Sequence, residues 1–222
     1  MVAHSSLITV MENAARKAAP KLRRDFGEVD ALQVSRKGPA DFVSNADRAA
    51  EDAVVEVLRH ARPDWGLLLE ESGEIKGEDE RCRWIVDPLD GTSNFLHGIP
   101  HFAISIAAEI DGEVTAGLIH QPLTGESYWA EKGRGAWLQT QRLRVSGRRD
   151  LNDCLIATGI PYLGHGDRAQ FNSILNAVMP EVAGVRRFGA AGLAESVDSL
   201  AFLAELARRG IRAAVFEGES HA

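Results

Sequence analysis

Trp84-Ile85-Val86-Asp87-Pro88-Leu89-Asp90-Gly91-Thr92-Ser93-Asn94-Phe95 is the stretch on which the reading of this chain turns. An apolar run ends in an aspartate, a proline fixes the next bend, and a second aspartate follows three residues after the first. Two carboxylates so spaced around a Pro-set turn can face one point from opposite sides, which suits a pair of hard divalent cations that take oxygen ligands. The backbone carbonyl of Leu89 offers a further oxygen. After Asp90, Gly91 and Thr92 can bring amides close to an anion, and a helix starting there adds the positive end of its dipole. Taken alone, the hexapeptide from Asp87 to Thr92 fits a plain surface turn equally well, because Asp, Pro and Gly are common turn formers. What tips the balance is a second apolar run, Gly66 to Leu69, that ends in Glu70 and Glu71. Two like charges closing a buried strand are costly unless they are solvated or hold a cation.

Working outward, apolar residues recur at helical spacing from Ser6 to Phe26 and again from about Asn45 to His60, predicting two amphipathic helices. Between them, residues 31–37 read as a strand with Gly38-Pro39 as its exit turn. The runs at 66–71 and 83–87 read as buried strands that each deliver a carboxylate at the end. Strands at 101–109, 114–120 and 126–131, separated by Asp111-Gly112 and by Pro122 to Gly125, predict an antiparallel meander. A strand at 155–157, a helix over about 167–178 and a last helix over about 194–209 complete the pattern.

The chain has 222 residues, 45% of them hydrophobic, and a formal net charge of -7. That composition is globular, and the negative charge argues against a general nucleic-acid or anionic-membrane surface. An anionic substrate must then meet positive charge from bound cations or backbone amides. Cys82 and Cys154 match no metal-ligand spacing, which fits a reducing, cytoplasmic setting. The first 19 residues carry His4, Glu12, Arg16 and Lys17 and read neither as a signal peptide nor as a membrane span.

Four pieces in order resemble the inositol monophosphatase family: Lys37 with Asp41-Phe42-Val43-Ser44-Asn45-Ala46-Asp47; Glu70-Glu71-Ser72; Asp87 to Phe95; and Gly117 to Pro122 followed by Gly133-Arg134-Gly135-Ala136. The resemblance runs from about residue 5 to about residue 192. It implies an α/β fold of alternating helix and sheet layers, in which residues 1–192 form the domain. The metal-binding half would reach to about residue 140, the start of a second half would span 141–192, and an atypical tail would follow over 193–222. The family pattern would make Glu70, Asp87 and the Leu89 carbonyl ligands of one Mg2+, with Asp87 and Asp90 holding a second and Glu70 touching a third. Asp47 and Thr92 would orient and deprotonate the attacking water, with Glu70 in the same catalytic set. Gly91, Thr92 and Lys37 would meet the phosphate. The implied reaction is hydrolysis of a small phosphate monoester, foremost a myo-inositol monophosphate, by a chain that forms a homodimer. His97 and His101, which flank the signature, read as structural because Mg2+ prefers oxygen.

After Arg186-Arg187-Phe188-Gly189-Ala190-Ala191-Gly192 the resemblance stops. The family's Trp-Asp-Xaa-Ala-Ala motif, whose aspartate completes the second metal site, has no counterpart, and neither Asp198 nor Glu217 is placed to replace it. The expectation is therefore an incomplete C-terminal half and reduced turnover. The competing readings are an inactive remnant that keeps the fold, and a phosphatase of 3′-phosphoadenosine or histidinol phosphate with the same metal chemistry.

Overall fold

The computed structural model describes residues 4–28, 34–36, 42–161 and 166–196. Helix α1 spans Ser6–Phe26 and starts where the Ser5 hydroxyl accepts the Ile8 N–H at 3.3 Å, satisfying one of the amides a helix start leaves open. Its stripe of Ile8, Met11, Ala14, Ala15, Ala18 and Leu22 is wholly buried, whereas Pro20 falls on the exposed side. Helix α2, Asn45–Ala61, buries Ala46, Ala50, Val54 and Leu58 and packs along α1. Alanine at the facing positions lets the two helices approach closely.

Strand β1 (Val34–Arg36) pairs antiparallel with β2 (Phe42–Ser44), which runs straight into α2. The main sheet contains β3 (Trp65–Leu69), β4 (Gly73–Ile75), β5 (Asp79–Asp90), β6 (Ala103–Ile110), β7 (Glu113–His120), β8 (Ser127–Glu131), β9 (Gly135–Leu138) and β10 (Gln141–Arg142). Its order is β10-β9-β8-β7-β6-β5-β3-β4. The expected meander is present in β6 to β8; β9 and β10 extend it beyond the sequence-based reading, and β4 adds an edge strand on the far side of β3. All neighbours run antiparallel except β3 and β5, which are parallel.

Alternation along these strands separates two faces. Trp84, Val86, Ile104, Ile106, Leu118 and Trp129 are buried beneath α1 and α2. Each large apolar side chain so removed from water contributes about 1.5–3 kcal/mol. On the opposite face, Ile85, Asp87, Ser105 and Ala107 line an open hollow of about 390 Å³.

The run expected to stop at Asp87 continues to Asp90. Asp87 stands opposite Ser105 and Asp90 opposite Ala103, so three steps on β5 match two on β6. Pro88 and Leu89 occupy this bulge, where a residue without an N–H costs no ladder bond. The first correction to the sequence reading is thus that the acids flank a bulge inside one strand, not a turn after it. A second is that the strand read over 66–71 ends as β3 at Leu69, so Glu70 follows the strand and is exposed, a solvated acid.

Helix α3 (Thr92–Leu96) follows the bulge. Further on, β11 (Leu155–Ala157), α4 (Arg168–Val178) and β12 (Gly184–Arg186) form a small unit in which the two strands pair in parallel. Helix α5, Ala191–Ser196, then returns to the main sheet, where Ala190 and Leu193 pack with Ala103, Ile119 and Tyr128. A helix layer on a large mixed sheet, followed by a second α/β unit, is the mixed, layered fold expected. Lys37, Asp41 and the Gly38-Pro39 turn lie outside the described residues, as does most of the helix expected over about 194–209; α5 covers Ala191–Ser196. Among the described residues no helix is long and apolar enough to cross a membrane.

Candidate active site

Because β3 and β5 run in parallel, their C-terminal ends open side by side. Glu70 donates its N–H to the Val86 carbonyl at 3.2 Å, which carries the chain past the last ladder residue and sets the Glu70 side chain beside Asp87. The Asp87 carboxyl pKa is pushed up to about 9, first by burial, then by the negative charges of Glu70 and Asp90 and a hydrogen bond shared with Glu70. The Leu89 N–H, donated to Asp87 Oδ1 at 3.0 Å, pulls the other way. Two carboxyl groups sharing a proton next to a third acid are a group that a divalent cation would relieve.

Asp90 lies across the bulge. Its Oδ1 accepts the Ala191 N–H at 3.0 Å and its Oδ2 the Gly192 N–H at 2.6 Å, so the carboxylate caps the first turn of α5. A Cβ on Gly192 would stand 3.0 Å from Asp90 Oδ2; glycine there permits the short contact. Gly91, at φ 95°, adopts the left-handed conformation, and a side chain on it would meet Ala190 and the His101 carbonyl at 3.0 Å. The backbone reversal into α3 therefore requires glycine. Thr92 opens α3 and donates its hydroxyl to the Leu89 carbonyl at 3.0 Å, leaving that oxygen a second lone pair and the Thr92 oxygen free to accept. Asp47 sits in the first turn of α2, 2% exposed, and α2 packs on β5.

The structure thus gathers Glu70, Asp87 and Asp90 around the ends of β3 and β5, with the Leu89 carbonyl, Gly91 and Thr92 on the adjoining turn. Among the described residues no group of three or more His, Cys, Asp or Glu side chains is arranged to hold a metal ion, and the Asp90 carboxylate faces the α5 amides. The donor set nevertheless fits a hard cation. It is all oxygen, acidic, and contains a carboxyl held protonated by its neighbours.

His97 Nδ1–H donates to the Ser93 carbonyl at 2.7 Å, and the His101 ring lies 5.5 Å from that of Phe188. Three participants escaped the sequence reading. Asn94, buried, donates its amide to the carbonyls of His101 and Phe188, each at 2.8 Å, tying α3 to the segment before α5. The Ala191 and Gly192 amides hold Asp90. Glu51, one turn beyond Asp47, is a second buried acid in the stripe that otherwise holds Ala46, Ala50, Val54 and Leu58, and that mismatch is the sequence signal that could have flagged it.

The inositol monophosphatase family model matches residues 3–205. An inositol-1-monophosphatase of Rhizobium meliloti is 56% identical over 192 residues, which are 86% of this chain and 72% of that protein. Nus factor SuhB of Escherichia coli is 38% identical over 187 residues, 84% of this chain and 70% of its own length. The crystal structure of extragenic suppressor protein suhB from Bartonella henselae superposes with a TM-score of 0.84 at 53% identity, across 87% of this chain and 76% of that one. Fold and kinship define the chain as a phosphatase, a hydrolase acting on small phosphorylated substrates. It belongs to the inositol monophosphatase family.

Proposed function

We propose that the chain hydrolyses a small phosphate monoester, foremost a myo-inositol monophosphate, in a Mg2+-dependent reaction at the ends of β3 and β5. One observation carries the reading: the parallel ends of β3 and β5 and the bulge after Asp87 bring Glu70, Asp87 and Asp90 side by side, and their crowding pushes the Asp87 carboxyl pKa up. Glu70, Asp87, the Leu89 carbonyl and Asp90 would hold two to three Mg2+ ions. When bound, these ions supply Lewis acidity toward the phosphate and toward the water that attacks it.

The chain's own groups do the rest. Asp47, fixed in the first turn of α2, and Thr92, free to accept at its hydroxyl oxygen, would orient that water and take its proton. The amides at Gly91 and Thr92 would meet the phosphate oxygens at the start of α3, where backbone N–H groups are open. Lys37 would add positive charge from the β1–β2 connection. No protein group is phosphorylated in this scheme. The net charge of -7 favours a small anion met at a cation-bearing site over a nucleic-acid partner.

A slow or inactive catalyst is the second reading. It draws on the Asp90 carboxylate, which is taken up by the Ala191 and Gly192 amides. The deciding measurement is phosphate release from myo-inositol 1-phosphate across a Mg2+ titration, with Asp87→Asn in parallel. The expected outcome is release that needs Mg2+ and falls at least about 100-fold in Asp87→Asn, as loss of a central metal ligand should produce. Failure to release phosphate from this ester and from a panel of others at any Mg2+ concentration establishes the second reading.

A further inference from the structure

Glu51 lies in the middle of α2 and is 2% exposed. A buried carboxylate is costly unless its oxygens are satisfied, and here both are. Oε2 accepts the Glu71 N–H at 3.0 Å and Oε1 accepts the Ser72 hydroxyl. These two donors belong to the three-residue connection between β3 and β4, Glu70-Glu71-Ser72, which closes at Gly73 with φ 77°. Solvent ordinarily satisfies the amides of such a connection. In this chain a helix reaches out with a charged side chain to hold them.

The connection is therefore fastened on both flanks. The Glu70 N–H goes to β5 through the Val86 carbonyl, and the next two residues go to α2 through Glu51. Asp47 stands one turn before Glu51, and residues four apart share a helix face. A single buried carboxylate thus links the helix that carries Asp47, the turn that carries Glu70, and through that turn the strand that carries Asp87. We infer that Glu51 is a positioning residue, which fixes the Glu70 carboxylate against Asp87 and so sets the affinity of the site for its cation. This rests on the reading of Glu70 and Asp87 as metal ligands. Partners one layer behind a ligand typically change metal affinity by about 10–100-fold when removed.

A tie that only braces the hairpin would affect stability and nothing else, so the test reads metal affinity in the folded protein. Mn2+ binding to the full chain is measured by electron paramagnetic resonance for the unaltered protein, Glu51→Gln, Ser72→Ala and Asp87→Asn, alongside metal-free melting temperatures. Glu51→Gln is expected to weaken Mn2+ binding about tenfold and to raise the Mg2+ needed for half-maximal activity by a similar factor. Ser72→Ala is expected to weaken Mn2+ binding about threefold; this exposed site changes no charge, and it carries the test alone if Glu51→Gln does not fold. Folded variants that bind Mn2+ within about twofold of the unaltered protein, beside an Asp87→Asn chain that has lost it, overturn the inference and leave the metal site standing. An Asp87→Asn chain that binds Mn2+ as the unaltered protein does overturns the metal site and the inference together.

Discussion

Asp87 behaves unlike a surface aspartate because every influence but one acts to keep its proton in place. Burial, Glu70 and Asp90 raise its pKa to about 9, and only the Leu89 N–H opposes them. A metal ligand must be ionised, so cation binding at neutral pH has to expel that proton. Mg2+ or Mn2+ binding at pH 7 is therefore expected to release about one proton, seen as a dependence of the calorimetric heat on the buffer's ionisation enthalpy. Apparent affinity should rise between pH 7 and 9 and level off above. Heats independent of buffer would show that Asp87 is already ionised or takes no part.

His120 provides the opposite case, a base stripped of its proton. It is 5% exposed, its Nδ1 lies 2.9 Å from the Ser127 hydroxyl, and its pKa is lowered to about 4, mainly by burial and secondarily by Arg16 and Arg23. The unfolded chain binds this proton near pH 6.5 and the folded chain only near 4. Acidification through that window thus favours unfolding, at a cost on the order of 3 kcal/mol by pH 4. Denaturant titrations at pH 7 and pH 4.5 are expected to show a loss that is smaller in His120→Asn than in the unaltered protein. These two residues also mark what the sequence conceals. Asp87 was legible as a ligand from its motif, but a pKa depends on what surrounds a group in space. Nothing near His120 in the chain announced that it would be buried.

At the level of elements, periodicity located α1, α2 and the strands of the meander, because each buries one regular face in the core. α1 even runs through Pro20, which local rules disfavour inside a helix, since the stripe from Ile8 to Leu22 is buried on both sides of it. The strands β2, β4, β9, β10 and β12, each four residues or fewer, escaped the sequence reading. The bulge escaped too: a proline after an acid looks the same whether it begins a turn or interrupts a ladder, and only the register with β6 separates the two.

The joint between α3 and the chain before α5 lay beyond the sequence because of its span of 94 residues from Asn94 to Phe188. Asn94→Ala removes two amide hydrogen bonds and leaves the His101 and Phe188 carbonyls without this donor. A loss of roughly 2–4 kcal/mol is expected, measured as a lowered denaturant midpoint with an unchanged slope. If the substitution costs less than about 0.5 kcal/mol, the joint does not bear on stability.

For the whole molecule, the layered α/β class and the family followed from a handful of ordered motifs, while the manner in which the two parts meet did not. The main sheet is built from one continuous portion of chain, Trp65 to Arg142, and is covered on one face by α1 and α2. The later unit comes back to it through Ala190, Leu193 and the two amides on Asp90. Glu70, Asp87 and Asp90 all fall between residues 70 and 90, so their grouping closes only short loops. The grip on Asp90 closes a loop of 101 to 102 residues. Contacts between near neighbours in sequence form quickly, and distant ones wait on the slower search for closure. Assembly of this protein accordingly has a built-in order, in which the acids come together while the chain behind them is still loose and Asp90 receives its amides only when the last described helix arrives.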